Sequence, residues 1–533
     1  MKKSISKAVC ALLTGCMVIG SLVGCGGSKD SGGSAAAANP TESAAASGPI
    51  TGIKIGTSES WETLTPFRTT QSQYASMVRL IYDRLAYQTA DNEYIPQVAK
   101  SWEVDDDGVT WNVEIYDYVE DSEGNHITAS DIVWMLEESM KQGLKPCFNK
   151  IASVEQTGDY TFKVVMKQDI VNSFELVLVS TYVVSQKAYE ASEDGFATKI
   201  VSTSPYTVTD FVSGSHITFK KRDSYWQKPE LIDPVLAANL EEITYTIIKE
   251  ASQQQVALET GTVDAFEGIS ASIVPAFEGN NAFHIEQLPS SNGTQLFFSG
   301  DKSRIIADDE NLSRAICYAI DAEGIIAGVY NGYAKPMHDA AVESVVGYLD
   351  KWNDEEYFPY DVEKSKEYLA QSSYNGEELE LLCMSDSTTQ RVAQMIQNYL
   401  LAINVKLKLN IVDSALFSAS RFDGAQYDMI IISAGAGSLP AFWSNRFDST
   451  AYEKGDGTAR RDEVLTEMLY STWSNSGFTE ENIDAVHQYI KDHVYAYGIC
   501  LPTVSTIYSS KIALTESVNL PSGSIDFAAS VKQ

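Results

Sequence analysis

Six histidines and seven cysteines are the residues best able to ligate a metal or act as nucleophiles, and their spacing supports neither use. The histidines are His126, His216, His284, His338, His487 and His493; only the last two are close, and six residues apart they miss the i, i+4 helix face that paired ligands share. Cys147, Cys317, Cys383 and Cys500 are scattered, with no CxxC and no Cys/His cluster, a distribution typical of buried small hydrophobes. Hydrolysis by a nucleophile needs a base beside it, yet there is no GxSxG elbow, and Gly435-Ala436-Gly437-Ser438 lacks its shape. Walker, HExxH and EF-hand loops are missing too. With 72 Asp and Glu in the chain, neighbouring carboxylates carry no signal. The aromatics say more. Ser58-Glu59-Ser60-Trp61 and Ser438-Leu439-Pro440-Ala441-Phe442-Trp443 set rings among polar loop residues, a composition suited to a ligand pocket, with core capping as the alternative use of each ring.

The elements that must position such loops follow from composition and patterning. Lys and Arg number 39 against 72 acids, a net charge of 39 − 72 = −33. A surface this acidic repels nucleic acid and anionic membrane faces alike. Hydrophobic residues at 44% provide for several cores, and 533 residues correspond to about three domains or lobes at roughly 100–200 residues each. Met1-Lys2-Lys3 followed by an apolar run from Ala8 to Val23 reads as a secretory signal, too short for a spanning helix. Leu22-Val23-Gly24-Cys25 looks like a bacterial lipobox, which makes Cys25 a lipid anchor, and residues 26–49 are a Gly/Ser/Ala tether.

From Gly52 the pattern is mixed strand and helix, so the fold class is α/β. Leu379, Leu381 and Cys383 alternate as a strand; Val392, Met395, Ile396, Tyr399 and Leu400 fall at helical spacing; Val405, Leu407, Leu409 and Ile411 alternate again. Met429-Ile430-Ile431-Ile432 is a strand buried on both faces. A sheet with crossovers places ligands beyond the carboxyl ends of its strands, which points to the loops after Cys383 and Ile432. Leu312, Ala315, Ile316, Ala319 and Ile320 form one face of a core helix.

One stretch names a family. Tyr94-Ile95-Pro96-Gln97-Val98-Ala99-Lys100-Ser101-Trp102-Glu103, then Asp107-Gly108-Val109-Thr110-Trp111, then Gly124-Asn125-His126-Ile127-Thr128-Ala129-Ser130-Asp131-Ile132-Val133 resembles the signature of extracytoplasmic solute-binding proteins of the oligopeptide, dipeptide and nickel class, which serve ABC importers. Ser204-Pro205-Tyr206, Asp223-Ser224-Tyr225-Trp226, the run Gln255 to Asp264, the run Ser313 to Asp321 and Tyr427-Asp428-Met429 are similar to further family motifs and come in the family's order.

The resemblance implies a two-lobed periplasmic-binding-protein-like (Venus flytrap) fold that closes on a solute. The first lobe takes residues 50–290 plus 503–533 with an inserted subdomain at about 91–197, the second takes 291–502, and the crossings lie at Pro289-Ser290-Ser291-Asn292 and Leu501-Pro502. It implies a binding protein, not an enzyme, with no cofactor and no metal, acting as a monomer on the outer face of the bacterial cell membrane and handing its solute to permease subunits. Expected ligand contacts are Ser58, Glu59 and Trp61 after the first strand, Asn292 at a crossing, Ser385 and Asp386, and Phe442 and Trp443. Peptide binders of the class carry a Gly-Trp segment with an Asp for the ligand's α-amino group, where this chain has Ser433-Ala434-Gly435-Ala436-Gly437-Ser438-Leu439-Pro440. Asp386 or Glu59 is then the candidate charge partner, and a neutral or blocked solute is the alternative. A receptor for signal peptides and an extracytoplasmic hydrolase acting on peptides or glycans are the rival functions.

Overall fold

Ile53 and Ile55 alternate with Lys54 in the strand Gly52–Thr57, and this strand anchors one half of a long sheet. It lies parallel to Glu242–Ile247 on one side and to Ala265–Glu267 on the other. A computed structural model describes residues 50–532 apart from 60, 68–74, 144, 146, 436, 450–456 and 516–517. Cys25 and the tether lie outside the described residues.

The sheet has twelve strands. Its path runs Lys406–Val412, Glu378–Met384, Met429–Ala434, Gly293–Phe298, Ala496–Ser509, Ala265–Glu267, Gly52–Thr57, Glu242–Ile247, His216–Lys221 and Tyr206–Val212, with Phe283–Pro289 and Ala334–Pro336 also paired to Ala496–Ser509. The fourteen-residue strand Ala496–Ser509 joins the two halves: Ala496 to Cys500 pair with Gly293–Phe298, whereas Thr503 to Ser509 pair with Phe283–Pro289. It runs straight through Pro502, whose missing N–H is tolerated because its carbonyl accepts from Ser290 while Ala334 is its ladder partner. Glu378–Met384 is parallel to both neighbours, with helix Ser387–Ala402 as the crossover, so the alternation and helical spacing of this stretch translate directly into a β-α-β unit.

Burial follows this frame. Leu296 and Phe298 face one core together with helix Glu310–Ala319, while Phe297 faces another with Leu439, Phe442 and Trp443. In the other half Ile53, Ile55, Ile217, Phe219 and Ile243 share a core with Trp61. A separate antiparallel sheet of Ala99–Val104, Thr110–Ile115, Thr161–Met166 and Ile151–Gln156 is covered by helix Ala129–Gln142, which begins at a capping box of Thr128 and Asp131. Two of the motifs are fasteners. The Tyr206 hydroxyl donates to the Leu240 carbonyl at 2.9 Å, and Asp428 accepts from Arg304 Nε at 3.1 Å and from the Glu380 N–H at 2.7 Å. Arg79 pairs with Asp526 at 3% exposure each and pins helix Ala75–Ile81 to the C-terminal turn.

Candidate ligand-binding cleft

A cleft of about 560 Å³ opens where the two halves of the sheet meet. The strand Gly52–Thr57 ends into it, delivering Thr57, Ser58 and Glu59; the crossing delivers Ser290, Ser291 and Asn292. Helix Ala75–Ile81 and the chain after it bring Val78, Arg84, Tyr87, Gln88 and Asn92, and the segment around the four-stranded sheet brings Lys145, Leu176 and Tyr182. Opposite them stand Ser344, Gly435 and Gly437.

Glu59 and Glu267 are the carboxylates of this lining. Burial raises the Glu59 carboxyl above its usual range, partly offset by the Lys249 ammonium. Glu267 is 8% exposed, accepts hydrogen bonds from Ser76 Oγ at 3.0 Å and Tyr245 Oη at 3.2 Å, and is pushed by burial up to about 8, so it holds its proton at neutral pH. The cations are Arg84 and Lys145, which sit over the same ring: the Arg84 guanidinium carbon is 5.6 Å and Lys145 Nζ 4.8 Å from the Tyr182 centroid. The cleft therefore holds both signs of charge, with aliphatic and aromatic surface between them. Among the described residues no three His, Cys, Asp or Glu stand close enough together to hold a metal ion.

The two walls touch at the mouth. Asn172, in a left-handed conformation with φ 64°, donates from Nδ2 to the Gly437 carbonyl at 3.2 Å, and Asn92 Nδ2 donates to the Ser344 carbonyl at 3.0 Å. The Val171 N–H reaches the Trp473 carbonyl at 2.7 Å. Gly435 presses against the crossing so closely that a Cβ there would lie 2.0 Å from the Ser291 carbonyl oxygen. The walls of the cleft thus come from two halves of the sheet and are in contact at its mouth.

Of the eight expected contacts, Ser58, Glu59 and Asn292 line the cleft. The other five lie elsewhere. Trp61 is 5% exposed and meets Tyr245 edge-on at 5.8 Å within the first core. Phe442 and Trp443 are 2% and 0% exposed, because Ser438-Leu439-Pro440 is a helix start: Ser438 caps helix Leu439–Arg446 by accepting from the Ala441 N–H, and Pro440 occupies the first turn. The rings thus belong to a helix face turned inward. Asp386 is exposed and caps helix Ser387–Ala402 through the Thr389 N–H at 2.9 Å, with Ser385 beside it. Its strand, Glu378–Met384, lies outside Met429–Ala434 in the sheet order, so the loop after Cys383 is one strand further from the crossing than the loop after Ile432. Arg84, Tyr87, Lys145, Tyr182 and Glu267 escaped sequence reasoning. They come from four separate segments with no local pattern, and only the fold collects them.

The family model of bacterial extracellular solute-binding proteins, family 5 (middle region), matches residues 93–456, more than half of the chain. This chain belongs to the family 5 bacterial extracellular solute-binding proteins. It is accordingly an extracytoplasmic binding protein and not an enzyme, in keeping with the motifs that carry the resemblance. The glutathione-binding protein GsiB of Shigella boydii serotype 4 (strain Sb227) is 24% identical over 370 residues, 68% of this chain and 70% of that one. The ABC transporter substrate-binding protein CtaP of Listeria monocytogenes superposes with a TM-score of 0.77 at 19% identity, covering 91% of this chain and 99% of that one. The periplasmic binding protein DppA of Helicobacter pylori, solved with the peptide STSA, gives 0.74 at 18% identity over 90% and 98%. These structures establish the two-lobed fold for the family 5 chain. Among its described residues no helix is long and apolar enough to cross a membrane.

Proposed function

We propose that this family 5 protein captures a short peptide or peptide-like solute between its lobes and presents it to the permease of an ABC transporter. In this reading the first lobe is residues 50–290 plus 503–533, with the inserted subdomain at 91–197, and the second is 291–502. Cys25 carries the lipid that holds the protein, as a monomer, on the outer face of the cell membrane, and residues 26–49 let the lobes stand away from the bilayer. Ser58 and Asn292 supply hydrogen bonds, and Glu59 takes the α-ammonium that the missing Trp/Asp segment would otherwise bind. The observation that carries the reading is the closed cleft itself: about 560 Å³, lined by charges of both signs and roofed by small residues, within the roughly 300–1,000 Å³ usual for small-ligand sites.

Capture works by differential affinity. Solute that contacts both walls stabilises the closed form over the open one, and the closed form is what the permease receives. No bond is made or broken.

Native mass spectrometry of residues 50–533, purified without refolding, tests this. A co-purified mass that is lost on partial unfolding and dialysis, and that fragments as a peptide, is the expected result. Glu59→Gln is expected to weaken binding of the same peptide about tenfold to a hundredfold, the value of one hydrogen bond to a charged group. A co-purified non-peptide solute, or unchanged peptide affinity in Glu59→Gln, removes the peptide reading or the Glu59 role respectively.

A further inference from the structure

Two asparagines on the charged side of the cleft are built alike. Asn92 and Asn172 both hold the left-handed conformation, at φ 62° and 64°, which asparagine tolerates better than most residues. Each engages its side-chain oxygen within its own wall: Asn92 Oδ1 accepts from Gln88 Nε2 at 2.9 Å, and Asn172 Oδ1 accepts from the Tyr94 hydroxyl. Each aims its Nδ2 across the mouth at a main-chain carbonyl, Asn92 at Ser344 and Asn172 at Gly437, 3.0 and 3.2 Å away. A carbonyl can only accept, so both amides must present nitrogen to the other wall.

The two carbonyls belong to one piece of that wall. Val346 pairs with Ser438 in a parallel bridge, the Val346 N–H donates to the same Gly437 carbonyl at 3.2 Å, and the Leu439 N–H donates to the Val346 carbonyl at 3.0 Å. Ser438 in turn caps the helix Leu439–Arg446. Next to Asn172 the Val171 N–H makes a third crossing bond, to the Trp473 carbonyl at 2.7 Å. The fit is close: a Cβ on Gly437 would lie 3.0 Å from Leu176 Cδ2 and 3.3 Å from Asn172 Nδ2.

All three acceptors are backbone groups, so these bonds form whenever the walls meet, whatever lies between them. Asn172 is 8% exposed and stands outside the lining of the cleft. We propose that Asn172 is a positioning residue for solute capture: oriented by Tyr94 and seconded by Asn92, it latches the loop after the strand Met429–Ala434 over the cleft. The latch rests on the reading that the lobes close on a solute and part to release it. A bond made only in the closed state favours that state by the same factor for every ligand. Losing it therefore speeds the release of every solute equally.

The test uses the chain from residue 50 and two variants. Asn172→Asp keeps the size, the left-handed backbone and the bond from Tyr94, but turns an oxygen toward the Gly437 carbonyl; Tyr94→Phe removes only the orienting hydroxyl. Amide hydrogen exchange of the solute-free protein, read by mass spectrometry, follows two N–H groups. That of Val171 reports the crossing, because its acceptor is on the other wall, and that of Ile115, bonded to the Tyr160 carbonyl at 2.9 Å, reports the stability of the four-stranded sheet. Asn172→Asp is expected to speed exchange at Val171 about tenfold to a hundredfold and Tyr94→Phe about two- to tenfold, with Ile115 unmoved in both. Dissociation of synthetic di- to pentapeptides, followed by surface plasmon resonance, should accelerate by one common factor with their rank order kept. Unchanged exchange at Val171 in both variants overturns the latch. So does equal acceleration at Ile115, which would make Asn172 a support of its own wall, and so does an altered rank order, which would make it a solute contact. If wild type binds none of the peptides, the peptide reading fails while the exchange rates still decide the latch.

Discussion

The two walls of the cleft are built on different plans. The first-lobe wall carries Glu59, Arg84, Tyr87, Lys145 and Glu267, side chains drawn from four segments and held by a ring, a strand end and a buried hydrogen-bond pair. The wall built after the first crossing contributes Ser291, Asn292, Ser344, Gly435 and Gly437, none of them charged, and it meets the other through backbone carbonyls. The charged side chains of the cleft are thus concentrated on one wall, and the other offers hydroxyl, amide and backbone groups.

The contrast can be broken from either side. The largest effect is expected behind the uncharged wall, where Trp443 is fully buried: Trp443→Ala should cost about 3–5 kcal/mol in denaturant unfolding while leaving the affinity of the folded protein intact. A loss of affinity with stability unchanged would return Trp443 to the site. On the uncharged wall itself, Gly435→Ala forces a Cβ against the Ser291 carbonyl at the start of the neighbouring strand, a clash within one half of the sheet, and should lower stability by about 1–3 kcal/mol in denaturant unfolding.

Titration sharpens the description of the charged wall. Glu267 keeps its proton to about pH 8 in the folded chain against 4.5 ordinarily, so between those values the folded state binds more protons than the unfolded one. Stability must therefore fall as pH rises through this window, by at most about 1.4 kcal/mol per unit. Asp83, buried and raised to about 6, adds a slope of the same sign only below that value. Thermal unfolding between pH 6 and 8 isolates Glu267, and Glu267→Gln should flatten the curve there; an unchanged slope would mean that the carboxylate is already ionised. The smallest effect belongs to Ser344→Ala, because Asn92 bonds to the Ser344 carbonyl: within about 0.5 kcal/mol in both stability and binding.

Legibility in the sequence tracked the range of the forces involved. The strand Glu378–Met384, its crossover helix and the buried strand Met429–Ala434 could be read from periodicity, since each buries a face set by its own local geometry. Ser58, Glu59 and Asn292 could be placed near a cleft because each follows a strand end or a crossing. Phe442 and Trp443 were misplaced for a local reason that was itself visible: Ser438 followed by Pro440 is a helix start, and a helix turns its rings inward. Asp386 was misplaced for a reason that was not visible, the order of strands in the sheet.

Taken by itself, the amino-acid sequence determined the class of molecule, because charge balance, the leader-like N-terminus and motif order are properties of the chain and need no folding to exist. It determined most elements as well, because helix and strand periods act over a few residues. Only the tertiary structure decided which charges share the cleft. Arg84, Lys145 and Glu267 are 61 and 122 residues apart along the chain, and their meeting depends on how the separate four-stranded sheet and the long strand Ala496–Ser509 pack in the fold. Contacts of that range are set by the packing of whole elements, and no local pattern encodes them.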